Sequence, residues 1–200
     1  MMIERASAGY RSQMTAAEKP DLISVIITEH RHVERVFTEL ESGTGSPEHR
    51  RNLADHVIAE LVRHSVAEEQ FMYPAARKYL ENGDQLADHE LEEHAEAEEV
   101  MKQLEDVPAT EPRFDELMRR LIEDIRHHIE DEERDLLPKL QSACSADELR
   151  DLGEKVERAK KMAPTRPHPA APDRPPANLI LDTGAGLIDK IRDRLSGRHT

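Results

Sequence analysis

The chain is short of the residues that build aromatic cores or covalent staples. Its 200 residues include one cysteine, no tryptophan, three phenylalanines and three tyrosines. A single cysteine, Cys144, excludes an intrachain disulfide and fits a reducing, cytoplasmic compartment. It reads as a half-buried thiol rather than a nucleophile. No apolar run reaches the roughly 20 residues of a membrane span, and the first residues lack the apolar stretch of a signal peptide. P-loop, glycine-rich dinucleotide turn and nucleophile elbow are missing. Cationic side chains are outnumbered, 28 Lys and Arg against 42 Asp and Glu, for a net charge of −14. That charge repels phosphate and argues against a nucleic-acid partner.

What is abundant is charge and helix-forming residues. Charged residues make up 35% of the chain and hydrophobic ones 37%, a balance suited to long amphipathic helices. Residues 1–20 form a polar lead. Asp21 can cap a first helix whose apolar stripe runs Leu22, Ile26, His30, Val33, Phe37 and Leu40, which is one helical face. A Ser/Gly/Pro-rich turn at 42–47 leads to a second helix with Leu53, Val57, Leu61, His64, Glu68 and Phe71 on its stripe. Pro74 should kink that helix or interrupt its hydrogen bonding, because it frees the carbonyl four residues back. After a loop at 82–84, a third helix carries Leu86, Glu90, His94, Ala97, Met101 and Leu104, and a fourth carries Leu117, Leu121, Ile125, His128 and Glu132. Short connections make successive helices antiparallel neighbours. The expected fold is all-α: an up-down-up-down four-helix bundle with a short extra helix and a C-terminal tail helix. Ser145 and Glu148 form a capping-box signature for the extra helix, so the bundle unit spans 21–161. Residues 162–177 read as a Pro-rich linker. Residues 178–200 read as an amphipathic tail able to dock on the bundle, a second copy, a protein partner or a membrane surface, with its own protein or a second copy favoured over lipid.

The same unit is written twice, 64 positions apart. His30 corresponds to His94, His64 to His128, Glu68 to Glu132 and Pro74 to Pro138 (94 − 30, 128 − 64, 132 − 68 and 138 − 74 all equal 64). These imidazoles and carboxylates fall on stripe positions that should face the interior. An unpaired carboxylate there costs several kcal/mol or takes up a proton. A bound cation satisfies all six donors together. His and Glu four apart lie one turn above each other, so both can reach one centre. Two halves then give two metals with Glu68 and Glu132 placed to bridge, and imidazole plus carboxylate suits iron or manganese. One position breaks the repeat: Ile26 in the first half is Glu90 in the second. Glu90 can be a seventh ligand, can orient an imidazole from outside, or can turn to solvent. His32, His49, His56 and His89 fall off the stripes and read as surface residues. His127 with Asp131 is a weaker alternative to His128. Glu69 and Glu133 also repeat and can act from the outer layer, whereas Tyr73 reads as packing beside Pro74.

The pattern His, His-x-x-x-Glu, His, His-x-x-x-Glu, with the local runs Arg63-His64-Ser65-Val66-Ala67-Glu68-Glu69 and His127-His128-Ile129-Glu130-Asp131-Glu132-Glu133, resembles the hemerythrin-like, or HHE cation-binding, family over roughly residues 21–140. The resemblance implies a bundle around two Fe ions, a non-haem di-iron centre for which an oxo bridge is one expected form. By that resemblance His30 and His64 bind one iron, His94 and His128 the other, and Glu68 and Glu132 bridge. The ligand it implies is a small diatomic or peroxide: O2, hydrogen peroxide or nitric oxide. The sequence departs from the family's oxygen carriers in having Glu90-x-x-x-His94 on the third helix and a four-residue step from His128 to Glu132. Both departures favour redox turnover or sensing over reversible oxygen carriage. The rival ferritin-like pattern needs paired Glu-x-x-His motifs. Glu29 and His32 form one, but the second half has Glu93 and Glu96 there.

Overall fold

A computed structural model describes residues 19–171 together with Ala185, Gly186, Asp189 and Asp193. The expected lead over 1–20 otherwise lies outside the described residues, as does most of the expected tail helix over 178–200. Helix α1 (Leu22–Glu41) starts where Asp21 accepts a hydrogen bond from the Ser24 amide. Ser46 caps α2 (Pro47–Ala67) in the same way through the His49 amide. The second helical arm continues through a π turn (Glu68–Met72) into α3 (Tyr73–Tyr79). Helix α4 (Gly83–Glu105) returns along the bundle and α5 (Pro112–Asp131) follows. A second π turn (Glu132–Leu136) leads into α6 (Leu137–Ala143). Helix α7 (Ala146–Lys160) opens on a complete capping box from Ser145 and Glu148.

The two π turns are the physical answer to Pro74 and Pro138. A proline ring clashes with the carbonyl four residues back and has no N–H to offer. One extra residue in the preceding turn relieves this: the Tyr73 amide bonds to the Glu68 carbonyl, and the Leu137 amide to that of Glu132. The added residue also turns two neighbours inward in each arm. Met72 and Tyr73 are both buried in the first, Leu136 and Leu137 in the second. Such π turns recur at functional sites.

Helix α1 packs on α2 and α5, and α4 packs on α5 and α2, which closes a four-helix ring. The apolar core is in two layers. One joins Val33, Phe37, Ile58, Leu104, Phe114 and Leu121, and the other joins Leu22, Ile26, Met72, Ala87, Leu136 and Leu140. The polar stripe residues lie between them. Helix α7 covers one side only, against α1, α2 and the first π turn. Gly153 makes that approach possible, since a Cβ there would sit 2.8 Å from the backbone of Pro20 and Asp21.

The stretch after α7 is non-helical, as its prolines dictate, and it lies against the bundle. Ala163 and Thr165 are buried. The Thr165 and Arg166 amides donate to Asp189, the Thr165 hydroxyl to Asp193, and the His168 amide to Glu98. Among the described residues no helix is long and apolar enough to cross a membrane.

Candidate metal centre

All seven expected site residues converge between the two apolar layers. His30, His64, Glu68, Glu90, His94, His128 and Glu132 are each at most 6% exposed. Glu90 does not turn to solvent. His127 does, with 66% of its side chain exposed, so the inward imidazole on α5 is that of His128.

The two π-turn carboxylates straddle the halves. Glu68 Oε1 is 3.1 Å from His64 Nε2, and its Oε2 is 3.5 Å from His94 Nε2. Glu132 Oε2 is 3.4 Å from His30 Nε2, and its Oε1 is 3.7 Å from His128 Nε2. Each carboxylate thus offers one oxygen to each half. His30, His64, Glu68 and Glu132 form one group with ligand atoms within 4.8 Å of one another, and Glu68, His94 and His128 form a second. Glu90, His128 and Glu132 form a third.

Four outer carboxylates hold the imidazoles from behind. His30 Nδ1 is 2.8 Å from Glu133, His64 Nδ1 2.8 Å from Glu29, His94 Nδ1 3.0 Å from Glu69, and His128 Nδ1 2.9 Å from Glu93. A carboxylate can only accept, so each neutral ring donates Nδ1–H outward and turns the Nε2 lone pair inward. These partners also repeat 64 residues apart (93 − 29 and 133 − 69). The sequence reading identified Glu69 and Glu133 but not Glu29 and Glu93. The signal was the same repeat, masked because Glu29 was weighed only against His32 on its own helix.

The arrangement fits a cation on three grounds. His30 Nε2, both oxygens of Glu68 and Glu132 Oε2 are buried without a hydrogen-bond partner, whereas Glu90 Oε2 lies 3.0 Å from His128 Nδ1, beside Glu93 on the outer side of that ring. Native interiors seldom leave such groups unmatched. His94 Nε2 and His128 Nε2 face each other at 3.2 Å, so a proton on one ring or a cation shared by both must lie between them. The carboxylates also resist each other: burial, then the Glu132 charge, drives Glu68 well above the ordinary carboxylate range. Without positive charge between them only one of the two can stay ionised, and a cation would let both do so.

The protein supplies that charge unevenly. Burial, reinforced by His30, pulls His64 down to about 4. Burial acts the same way on His128, but the Glu132 charge and the bonds that its Nδ1–H donates to Glu90 and Glu93 outweigh it and lift that group to about 10. The donor set of the second half is the more anionic because Glu90 stands where the first half has Ile26.

The likeness suspected from the residue pattern holds across the whole bundle. The Hemerythrin HHE cation binding domain profile matches residues 21–140. The chain belongs to this family. A hemerythrin-like protein of Schizosaccharomyces pombe is 32% identical to this HHE chain over 171 residues, covering 85% of the chain and 84% of that protein. A DNA nickase of Nostoc is 24% identical over 142 residues, 71% of the chain but 40% of the nickase. The crystal structure of an HHE cation binding domain-containing protein from Mycobacterium kansasii superposes with a TM-score of 0.62 at 22% identity, covering 71% of this chain and 86% of that one, a likeness of fold.

One member of the HHE site was missed by sequence reasoning. The Tyr73 hydroxyl donates to Glu132 Oε1 at 3.1 Å and lies 3.0 Å from His94 Nε2. Burial, then Glu132 and Glu68, raises its phenol well above the usual range, so it stays a proton donor. The repeat puts Leu137 at the matching place. That asymmetry was readable, but a tyrosine beside a proline looks like packing until the extra residue of the π turn swings it inward.

Proposed function

We propose that this HHE domain binds two iron ions, one per half, and that the centre reacts with or senses O2, peroxide or nitric oxide. The observation that carries the reading is the pair of buried carboxylates, each with one oxygen toward each half and with atoms left unmatched in the interior. His30 and His64 would hold one ion, His94 and His128 the other, and Glu68 and Glu132 would be shared. Glu90 would add a carboxylate on the His128 side, as ligand or as outer partner. When bound, the irons supply the electrons for reaction with a small oxidant. The chain fixes the imidazole tautomers through Glu29, Glu69, Glu93 and Glu133 and keeps water out with the apolar layers. It also holds a proton on Tyr73 Oη, beside His94 and Glu132. Carboxylate-rich surroundings stabilise the more oxidised ion, which favours turnover or sensing over reversible carriage. The net charge of −14 does not favour a polyanionic partner. The lone Cys144 is consistent with a reducing cytoplasm.

The test is elemental analysis with an optical spectrum on protein from iron-supplied cells. About two irons per chain, with charge-transfer bands that change when the reduced protein meets O2, peroxide or nitric oxide, is the expected result. Stoichiometric iron with no response to any of these ligands would sink the reactivity. A second reading, a sensing module without turnover, is favoured by the docked segment after α7. His168, Pro164 and Pro169 line a cavity of about 90 Å³ that reaches His94 and Glu69. A ligand-driven change there can pass to the residues that Asp189 and Asp193 hold. Deleting residues 163–200 separates the readings: peroxide turnover kept after deletion favours the reactive core.

A further inference from the structure

A second constellation of metal-type donors lies on the outside of the bundle, where α4 meets α5. His89 and Glu93 are four apart on α4, and His127 and Asp131 are four apart on α5. His89 Nε2 is 3.6 Å from Glu93 Oε1 and 3.9 Å from Asp131 Oδ2, and His127 Nε2 is 3.8 Å from each of the same two oxygens. His89, Glu93 and Asp131 offer ligand atoms within 4.8 Å of one another. Atoms bound to a common ion at about 2.0–2.2 Å sit roughly 3.3–3.6 Å apart, so a small contraction closes the set. Both histidines are more than half exposed, which leaves the place open to ions from solvent.

The duplication gives an independent argument. The matching positions in the first half are Val25, Glu29, Arg63 and Ala67, so the constellation belongs to the second half alone. Glu29 and Glu93 do the same inner task, each binding a buried imidazole through Nδ1. The outward oxygen of Glu29 meets the ammonium of Lys160, delivered by α7. The outward oxygen of Glu93 faces two imidazole nitrogens instead. Helix α7 covers α1 and α2. Where one half has a built-in cation, the other has a set of ligands for one.

We propose that His89, Glu93, His127 and Asp131 form a surface site for a borderline divalent cation such as Fe2+, Mn2+, Co2+ or Zn2+. Two imidazoles with two carboxylates select such ions over Mg2+ and Ca2+, which take oxygen ligands. Glu93 ties this site to the buried centre, with one oxygen toward the surface ion and the other on His128. The inference goes beyond the proposed function and holds whatever the buried ions are.

The test is equilibrium dialysis of the full, iron-loaded chain against Co2+, with total iron and cobalt measured on the same samples and the visible Co2+ spectrum recorded. The comparison is with the double variant His89→Ala, His127→Ala, whose changes are at exposed positions. The expected result is about one Co2+ per chain beyond the buried complement, bound at least tenfold more weakly by the double variant while its iron content is unchanged. No extra Co2+ in the wild type, or equal affinity in the variant, would overturn the proposal. A buried centre without iron would sink the proposed function and leave the histidine-dependent Co2+ increment to be read as before.

Discussion

The first and second halves of this bundle each carry the same three donors and the same two outer carboxylates in the same register, yet they surround them differently. In the first half α7 lies over the site and Lys160 neutralises the back of Glu29. Around the second half's histidines Glu90 adds a buried carboxylate, Tyr73 reaches across from the first half to donate to Glu132, and the back of Glu93 opens to solvent between two histidines. Duplication fixes what a centre needs: inward Nε2 atoms and straddling carboxylates. Divergence would then set how tightly each of the proposed ions is held. The inner donors are equally enclosed in both halves, each at most 6% exposed. The halves differ in what lies behind them: a lysine in the first, an extra carboxylate and two surface histidines in the second.

The largest expected effect concerns both halves together. Stripping the ions leaves Glu68 and Glu132 in a dry layer between two apolar ones. Uncompensated buried charge costs about 3–5 kcal/mol, but a proton on Glu68 and the imidazolium of His128 offset part of that in the stripped protein, so the melting temperature should fall by roughly 5 °C in a chain of this size. Calorimetry with and without chelator checks this, and an unchanged transition would mean that the layer is satisfied without metal.

The comparison itself is tested next by a chelator challenge. The ion held by His30 and His64 should leave at least tenfold sooner than the one held by His94 and His128, since Glu90 serves only the latter. Glu90→Ile and Tyr73→Leu write the opposite half's residue into each divergent position. Together they should bring the two release rates within about threefold. Two-phase release that persists unchanged in the double variant would place the asymmetry elsewhere.

The outer layer should matter somewhat less. Losing an outer partner of a metal-bound imidazole typically costs 10–100-fold in metal affinity. Glu29→Gln and Glu93→Gln should each fall in that range and each affect only its own half. Lys160→Met removes only the charge behind Glu29 and should cost a few-fold, in the first half alone. Equal losses from both halves in any one of these variants would show that the halves are not separable.

How much of this was legible in the sequence follows from where each signal lives. The helices, their caps and the inward donors are periodic features of single helices, and the 64-residue repeat made them conspicuous. The partners of Nδ1 are set by how one helix is rotated against the next. No spacing within a helix reports that, although the recurrence of Glu29 as Glu93 was there to be noticed. Pro74 and Pro138 announced a disturbance of the helix, but not that the disturbance would be a π turn carrying the shared carboxylates. Helix α7 was foreseen from its capping box, whereas its seat over one half was not.

The smallest effect is in the docked segment. The hydrogen bond to Asp189 raises the pKa of His168 above its usual value. Burial and Lys102 oppose the rise, and Glu98 supports it. A raised value means that the contact is fully present below pH about 6.5 and fades as pH climbs through the raised one. Amide exchange at residues 163–168 should therefore quicken between pH 6 and pH 9 by more than the intrinsic rate, and Asp189→Asn should abolish the excess.

The two prolines have one more consequence. A ring at position 74 or 138 forbids the chain from relaxing into an uninterrupted α-helix, in which the following residues would rotate by about 100°. The phase of each arm is thus written into covalent geometry, before any ion arrives to reward it. Single-residue insertions or deletions in either arm would put the wrong glutamate indoors, so lineages of this chain should vary freely at loop 42–47 and hardly at all in length between His64 and Pro74.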